Sequence, residues 1–514
     1  METVSQQWKE SHLQSIVPVS YVEINYNIGD PESQADASVS ASTPSFGKVE
    51  QIITELKKTY SKYATLEHNH WKLDGTYPLL EDTPSQDTGY ISSVLCDEDG
   101  IFEIRPVITI NFSKVFENVI PGLTITWSEA YDECARDFKV TAYNGEEIVA
   151  ETTITNNIDN VVVVGLDIQS YDKIEIEIMK WCLPLKRARA EQILIGIEKT
   201  FTKTDLIGYT HEQYADILSG DLPKNSIVFE IDNTEEKWNP DNPTAVFKYL
   251  IERQELKVKY GYKIGDSIEW IKAGNFYMSE WETPQNGITA TFTARDLLEF
   301  MSDTFVTTST SITLYDLALE ALAQANLPLN EDGSVKWNLD ETLKGVTIAI
   351  PEEFEYPIAD VLKMIANAGR CVIYQDRNGI LNIKPIANEL TDYIIDRFNS
   401  YQNAEYEITK ELKSVDVNNG MAIVENAKYG EVQTMSNPLI QNATVAANVA
   451  TWVKDTLKNR RLVSGDYRAD PRLDALDTIT VINKFASKKV VVTDVKYTYK
   501  GSFNGTYEGR AIDD

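Results

Sequence analysis

The segment DKIEIEIMK, residues 172–180, alternates apolar and charged letters with a period of two, placing Ile174, Ile176 and Ile178 on one side and Glu175 and Glu177 on the other. Side chains of an extended chain point alternately to opposite faces, whereas a helix repeats about every 3.6 residues. This text therefore specifies a strand with one dry and one wet face. The same alternation opens the chain in SYVEINYNI, where Val22, Ile24 and Tyr26 oppose Glu23 and Asn25. Between about residues 90 and 200, IRPVITINF, LTITW, DFKVTAY, EIVAETTI and VVVVGL alternate or run apolar, separated by Asn, Gly and Asp. Such a series of short strands predicts an antiparallel sandwich. QILIGIEKTF, at 192–201, closes it and leads into SIVFEIDNTEEKWNPDNP, ELKVKYGYKIGDSIEWIKAGNFYMSEW and ITATFTARDLLEFM, a second and strongly aromatic β-domain over roughly 200–300.

Other segments break this pattern. PESQADASVSASTPSFG, rich in Ser, Ala and Pro, reads as a linker. Over residues 48–63, Ile52, Ile53, Leu56 and Tyr60 share one face of an expected amphipathic helix. Thr313 and Asp316 form a capping box before Leu317, Leu319, Leu322 and Ala325, with Pro328 ending the helix. A second helix carries Val361, Leu362, Ile365 and Ala368 and is expected to stop at a left-handed Gly369. It feeds a hairpin, CVIYQ and ILNIKPI around a turn at Asp376–Gly379. The final segment holds strands near SVDVNNGMAIVE, the helix TVAANVATWVKDTLKNRR, and TITVIN, KKVVVTDVKYTY and GTYEGRA.

At 514 residues the chain exceeds a single core, and three or four domains are expected. A formal charge of −31 opposes any general affinity for phosphate backbones, so nucleic acid is a poor partner and no sequence-specific binding of it is expected. Cys96, Cys134, Cys182 and Cys371 show no Cys-x-x-Cys spacing and read as free thiols. The N-terminus lacks a signal-peptide layout, and the longest aliphatic run, Val161–Val164, is too short to span a bilayer. The expected product is soluble and synthesised without export. With 26 Tyr and 9 Trp, the composition suits strands and subunit contacts.

The chemistry-bearing residues are few. His68 and His70 in EHNHWKLDG would share one side of a strand as two zinc ligands, but no third ligand is identifiable, and His12 and His211 are remote in sequence. The H-N-H letters suggest a nuclease that the acidic chain contradicts. Cys371, between a helix and a strand, reads as buried rather than nucleophilic. DNTEEKWNPDNP, residues 232–243, gathers oxygen ligands without EF-hand spacing and reads as turns. Neither a Gly-x-Ser-x-Gly elbow, a His-Glu-x-x-His helix nor a phosphate loop is present. No catalytic residue, cofactor or metal site is assigned, and the chain is read as a non-enzyme. Among Trp71, Trp127, Trp238 and Trp270, core packing is the stronger reading; Trp71 and Trp127 are retained as candidate glycan or partner contacts.

Taken in order, ATLEHNHWKLDG, LTITW, DFKVTAYNGEEIV, SYDKIEIEI and KRARAEQILIG resemble a discoidin-like domain, the jelly-roll sandwich of the galactose-binding family. FEIDNTEEKWNPDNP, YGYKIGDSIEWIKAGNFYMSEWETPQNGITATFTARDLLEF, VLKMIANAGRCVIYQDRNGILNIKPI and YRADPRLDALDTITV resemble bacteriophage tail proteins of the hub and baseplate type, from phages of Gram-positive bacteria. Together the two resemblances cover nearly the whole chain. They imply a multidomain, mainly β protein with α+β parts: a discoidin-like sandwich, tail-tube-like hub β-domains and a small α+β domain. The implied division is 1–35, an N-terminal strand segment of the hub; 36–195, the discoidin-like insertion with linker and helix; 196–305, a hub β-domain; 306–395, an α+β helix–hairpin domain; and 396–514, a C-terminal hub domain with one helix. The implied role is structural, in a virion tail made in the bacterial cytoplasm. A homo-oligomeric ring, favoured as a trimer, would close the tail tube and contact tube, distal tail, tip or fibre proteins, with host-wall glycan as a further partner. A carbohydrate-binding adhesin and a tail-associated wall hydrolase are the alternatives.

Overall fold

The Ser20–Gly29 strand buries Val22, Ile24, Tyr26 and Ile28 on one face, as its alternation requires. In the computed structural model, which describes residues 1–14, 17–53, 66–67, 89–129, 131–239, 242, 246–283, 288–327, 334–351 and 353–512, this strand lies inside a sheet built from distant chain segments. It pairs antiparallel with Glu255–Ile264 on one side and with Gln192–Phe201 on the other. From Glu255–Ile264 the sheet continues through Ser267–Glu282, Thr289–Arg295, Lys224–Asp232, Leu206–Tyr214, Ser487–Tyr499, Phe503–Ala511 and Arg461–Tyr467 to Glu405–Ile408. Thr478–Ile482 also pairs with Ser487–Tyr499 and carries Leu390–Ile395 in parallel. The core enclosed by these strands is aromatic: Phe229 stacks on Phe292 with centroids 5.0 Å apart, and Phe503 meets the Tyr260 ring edge-on at 4.9 Å.

A second core fills the sandwich. One sheet runs Ser38–Ala41, Val107–Phe116, Tyr171–Trp181, Ala135–Asn144 and Glu147–Ile154. Ile174, Ile176 and Ile178 are buried and Glu175 and Glu177 only half-buried, as the sequence dictates. They share a core with Leu123, Ile125 and Val164 from Ile120–Thr126 and Val161–Ile168, and with Ile193 and Ile195. The stretch read as a linker is ordered. Asp30 accepts hydrogen bonds from the amides of Glu32 and Ser33 and caps a helix, Pro31–Asp36, whose proline is preset for its first turn. Ser38–Ala41 then adds to the edge of Val107–Phe116. Of the helix expected over 48–63, Val49–Ile53 is a 3-10 turn with Ile52 and Ile53 buried, and residues 54–65 lie outside the described residues.

Strand Gln192–Phe201 belongs to both bodies. Its first part, 192–195, pairs with 123–126 of the sandwich, and 196–201 pairs with 24–29 of the large sheet. At the transfer point Gly29 faces Gly196. A Cβ on Gly29 would stand 2.1 Å from the Ile195 carbonyl oxygen; on Gly196, whose φ is +139°, it would stand 2.5 Å from that of Ile28. Both backbones approach too closely for any side chain. Gly196→Ala is expected to cost about 2–3 kcal/mol, from backbone strain and overpacking, read as a lower urea midpoint at unchanged slope. A shift no larger than that of an exposed substitution would refute this account of the junction.

The third core is helical. Thr313 caps Leu314–Ala325, accepting from the Asp316 amide as the capping box predicts, and Asn326 ends the helix in the left-handed region. Ile358–Ala368 buries Val361, Leu362, Ile365 and Ala368. Its end departs from the expectation: Gly369 is right-handed at φ −81° and the left-handed residue is Arg370. The glycine is required for proximity instead, because a Cβ there would lie 2.2 Å from Leu343 Cδ2. The Val372–Gln375 and Leu381–Lys384 hairpin and the Ala443–Leu457 helix join this core, with the small sheet of Leu412–Val417, Ala422–Glu425 and Glu431–Met435. Residues 396–514 thus divide between two cores: 412–457 packs with the helices, and 461–511 returns to the large aromatic sheet. Among the described residues, no helix is long and apolar enough to cross a membrane.

Candidate interaction surfaces

Most residues singled out for chemistry are engaged in packing. His211 is fully enclosed; its Nε2 bonds to Asn225 Oδ1 at 2.8 Å, leaving Nδ1 to accept the Tyr260 hydroxyl at 2.6 Å. Burial pushes its pKa down to about 4 and keeps the ring neutral. His12 stacks on Trp8 and meets the Tyr262 ring edge-on. His68, His70 and Trp71 lie outside the described residues. Trp127 is wholly buried, edge-on to Phe138 at 5.1 Å and to Trp181 at 6.1 Å, and so has no face to offer a sugar or partner. Trp238 is likewise enclosed, whereas Trp270 is partly exposed beside Tyr21. Within 232–243, Asp232 accepts from the Thr234 amide and Asn233 from the Trp238 amide, the work of turn formers. The Cys371 thiol is buried, which pushes its pKa up to about 12. Among the described residues no group of three or more His, Cys, Asp or Glu side chains is arranged to hold a metal.

Two internal polar joints were invisible in the sequence. At the hairpin turn, Arg377 is buried; its Nε donates to Asp474 Oδ1 at 2.7 Å, Nη1 to the Lys272 carbonyl at 2.9 Å, and Nη2 to the Pro471 and Leu473 carbonyls at 2.8 and 3.1 Å. The helical unit is thereby pinned to the aromatic sheet. Asp296, where Thr289–Arg295 passes into the helical core, is buried with its Oδ2 unpartnered, and burial raises its pKa to about 7.

The outward features are sheet borders. Among the described residues, the large sheet ends at Glu405–Ile408, at Val161–Ile168 and, on its side branch, at Leu390–Ile395. The Thr409 amide donates inward to the Arg460 carbonyl, so the alternation of a strand turns the Ile408 amide outward. On this strand and on segments near it in the chain or the sheet, Ile394, Phe398, Tyr401, Ile408, Ile482 and Phe485 are between 40% and 87% exposed. They lie on elements that neighbour one another in the sheet: Leu390–Ile395 lies beside Thr478–Ile482, and the Tyr401 amide donates to the Asp466 carbonyl of the strand that pairs with Glu405–Ile408. An apolar group flanking an open strand is a pairing surface.

No protein-family model and no curated protein matches the sequence. Among solved structures, the chain is similar to a 43 kDa tail protein of prophage MuSo2 from Shewanella oneidensis, at 12% identity and TM-score 0.42, over 60% of this chain and 94% of that one. It is similar to a tail protein from Neisseria meningitidis MC58, at 12% identity and TM-score 0.44, over 61% and 93%. It is also similar to prophage tail protein gp18 from Listeria monocytogenes EGD-e, at 14% identity and TM-score 0.40, over 61% and 91%.

Proposed function

We propose that this chain is a structural subunit of a phage tail tip or baseplate: a hub whose copies, three in the favoured arrangement, form a ring that closes the tail tube and attaches tip or fibre proteins. The observation that carries the reading is the open Glu405–Ile408 strand with its exposed apolar surround, a border suited to completion by a second copy. The hub-like segments quoted above supply the class of assembly. The sandwich is an outward module with its own core, joined to the hub through Gly29 and Gly196. It serves contact with neighbouring tail proteins in preference to wall glycan, since Trp127, one of its two candidate sugar contacts, is enclosed in the core.

Native mass measurement tests the reading with two variants. Because Gly29 and Gly196 are directly opposed, residues 30–195 can be replaced by an Asn-Gly turn that closes the two strands as a hairpin. The full chain and this shortened chain are expected to give the same oligomer number. Ile408→Pro removes an outward amide and an exposed side chain without touching the internal ladder, and is expected to yield a folded monomer. A full chain that stays monomeric at high concentration, or an Ile408→Pro protein that assembles normally, sinks the proposal; an insoluble shortened chain counts against an independent module.

A further inference from the structure

Cys134 and Cys182 face each other across two sandwich strands. Ala135 pairs with Trp181, and one further step in the same register sets residue 134 opposite 182. The ladder holds at that step, with the Cys182 amide donating to the Cys134 carbonyl at 3.0 Å. The Cys134 amide donates in turn to Cys182 Sγ at 3.1 Å. Directly opposed residues have Cα atoms about 4.5–5.5 Å apart, within the roughly 4.4–6.8 Å that a disulfide spans. Cys182 is partly exposed and Cys134 enclosed, so one sulfur can be reached from solvent and the other waits behind it.

We propose that Cys134 and Cys182 are a reactive dithiol that closes to a cross-strand disulfide by exchange with a low-molecular-weight disulfide, Cys182 being the attacking sulfur. The Cys182 thiolate attacks one sulfur of the small disulfide, forming a mixed disulfide and expelling one thiolate. Cys134 then loses its proton and attacks Cys182 Sγ, expelling the second. Protein dithiol and one small disulfide thus become protein disulfide and two small thiols. The opposed thiols bias each other in the sense this order needs: the neighbouring Cys134 lowers the pKa of Cys182, while Cys182 raises that of Cys134, to which burial adds, and the Cys134 thiol points to the Asn157 carbonyl at 3.8 Å. Cys96, near the same end of the sandwich, is a built-in contrast: its buried sulfur donates to the Leu183 carbonyl and accepts from the Lys186 amide, both at 3.3 Å.

The test is incubation of the full chain with oxidised glutathione, followed by alkylation of remaining thiols and non-reducing peptide mapping. The expected result is loss of two of the four thiols, a peptide linking Cys134 to Cys182, and a raised melting temperature reversed by reductant. Cys96→Ser should form the same link, and Cys182→Ser, which spares the enclosed position, should form none. Four intact thiols, a stable glutathione adduct on Cys182 without a link, or a link to Cys96 would each overturn the proposal.

Discussion

Asp296→Asn is expected to stabilise the protein at neutral pH and to matter little near pH 4. The carboxyl is buried, the first and largest influence on it; Glu299 adds repulsion, while Arg295 and the amides of Leu298 and Glu299 pull the other way without closing a capping hydrogen bond. Its pKa in the fold is about 7, against 3.8 when unperturbed. Between those values the folded state holds a proton that the unfolded chain has released, so stability falls as pH rises across the window and the loss is complete above it. The amide has no charge to bury and escapes this loss. The stability difference should therefore open between about pH 4 and pH 7 with a slope approaching about 1.4 kcal/mol per pH unit, and then level off. His211 works in the opposite direction, since a neutral buried imidazole loses stability as pH falls from 6.5 toward 4, but it is common to both proteins and cancels in the comparison. Urea midpoints of both proteins across this range decide the matter: a gap that stays constant with pH would show that the charge on Asp296 is not what is being buried.

What the sequence disclosed and what it withheld divide along physical lines. A strand's period of two is local, so DKIEIEIMK and SYVEINYNI reveal which faces are dry without any knowledge of partners. The capping box at Thr313 is local as well. Serine and alanine content points to a linker at Pro31–Asp36, whereas the Asp30 cap and the proline start a helix there. At Gly369 the local pattern points to a left-handed cap, whereas the need for glycine is steric and comes from Leu343. The division of residues 396–514 between two cores follows from pairings such as Tyr214 with Asp494, which no local pattern encodes. The exposed apolar group around Ile408 was equally hidden, because exposure is decided by what the rest of the chain leaves uncovered. Trp127, a candidate surface contact by sequence, is enclosed in the sandwich core, while Trp270 of the same group is partly exposed.

Arg377→Ala is expected to be among the most damaging single substitutions, at about 3 kcal/mol, because it strips the half-buried Asp474 of its guanidinium and leaves three carbonyl oxygens unsatisfied. In sequence, Arg377 is a polar letter in a hairpin turn, where an exposed side chain is the default. The fold instead carries the turn into the aromatic sheet, where one guanidinium serves a carboxylate and three carbonyl oxygens at once. Lysine keeps the charge but replaces a planar fork of donors with a compact ammonium, so Arg377→Lys should recover only part of the loss. Asp474 has a second donor in Gln213, at 3.1 Å, so its partial satisfaction limits the damage. In a double-mutant cycle, adding Asp474→Asn to Arg377→Ala should cost less than the two single losses combined, since the amide removes the stranded charge. Urea unfolding of the four proteins measures each term. Full rescue by lysine, or strict additivity of the two losses, would show that bulk in the turn, and not the paired charge with its fork of donors, is what joins the helical unit to the sheet.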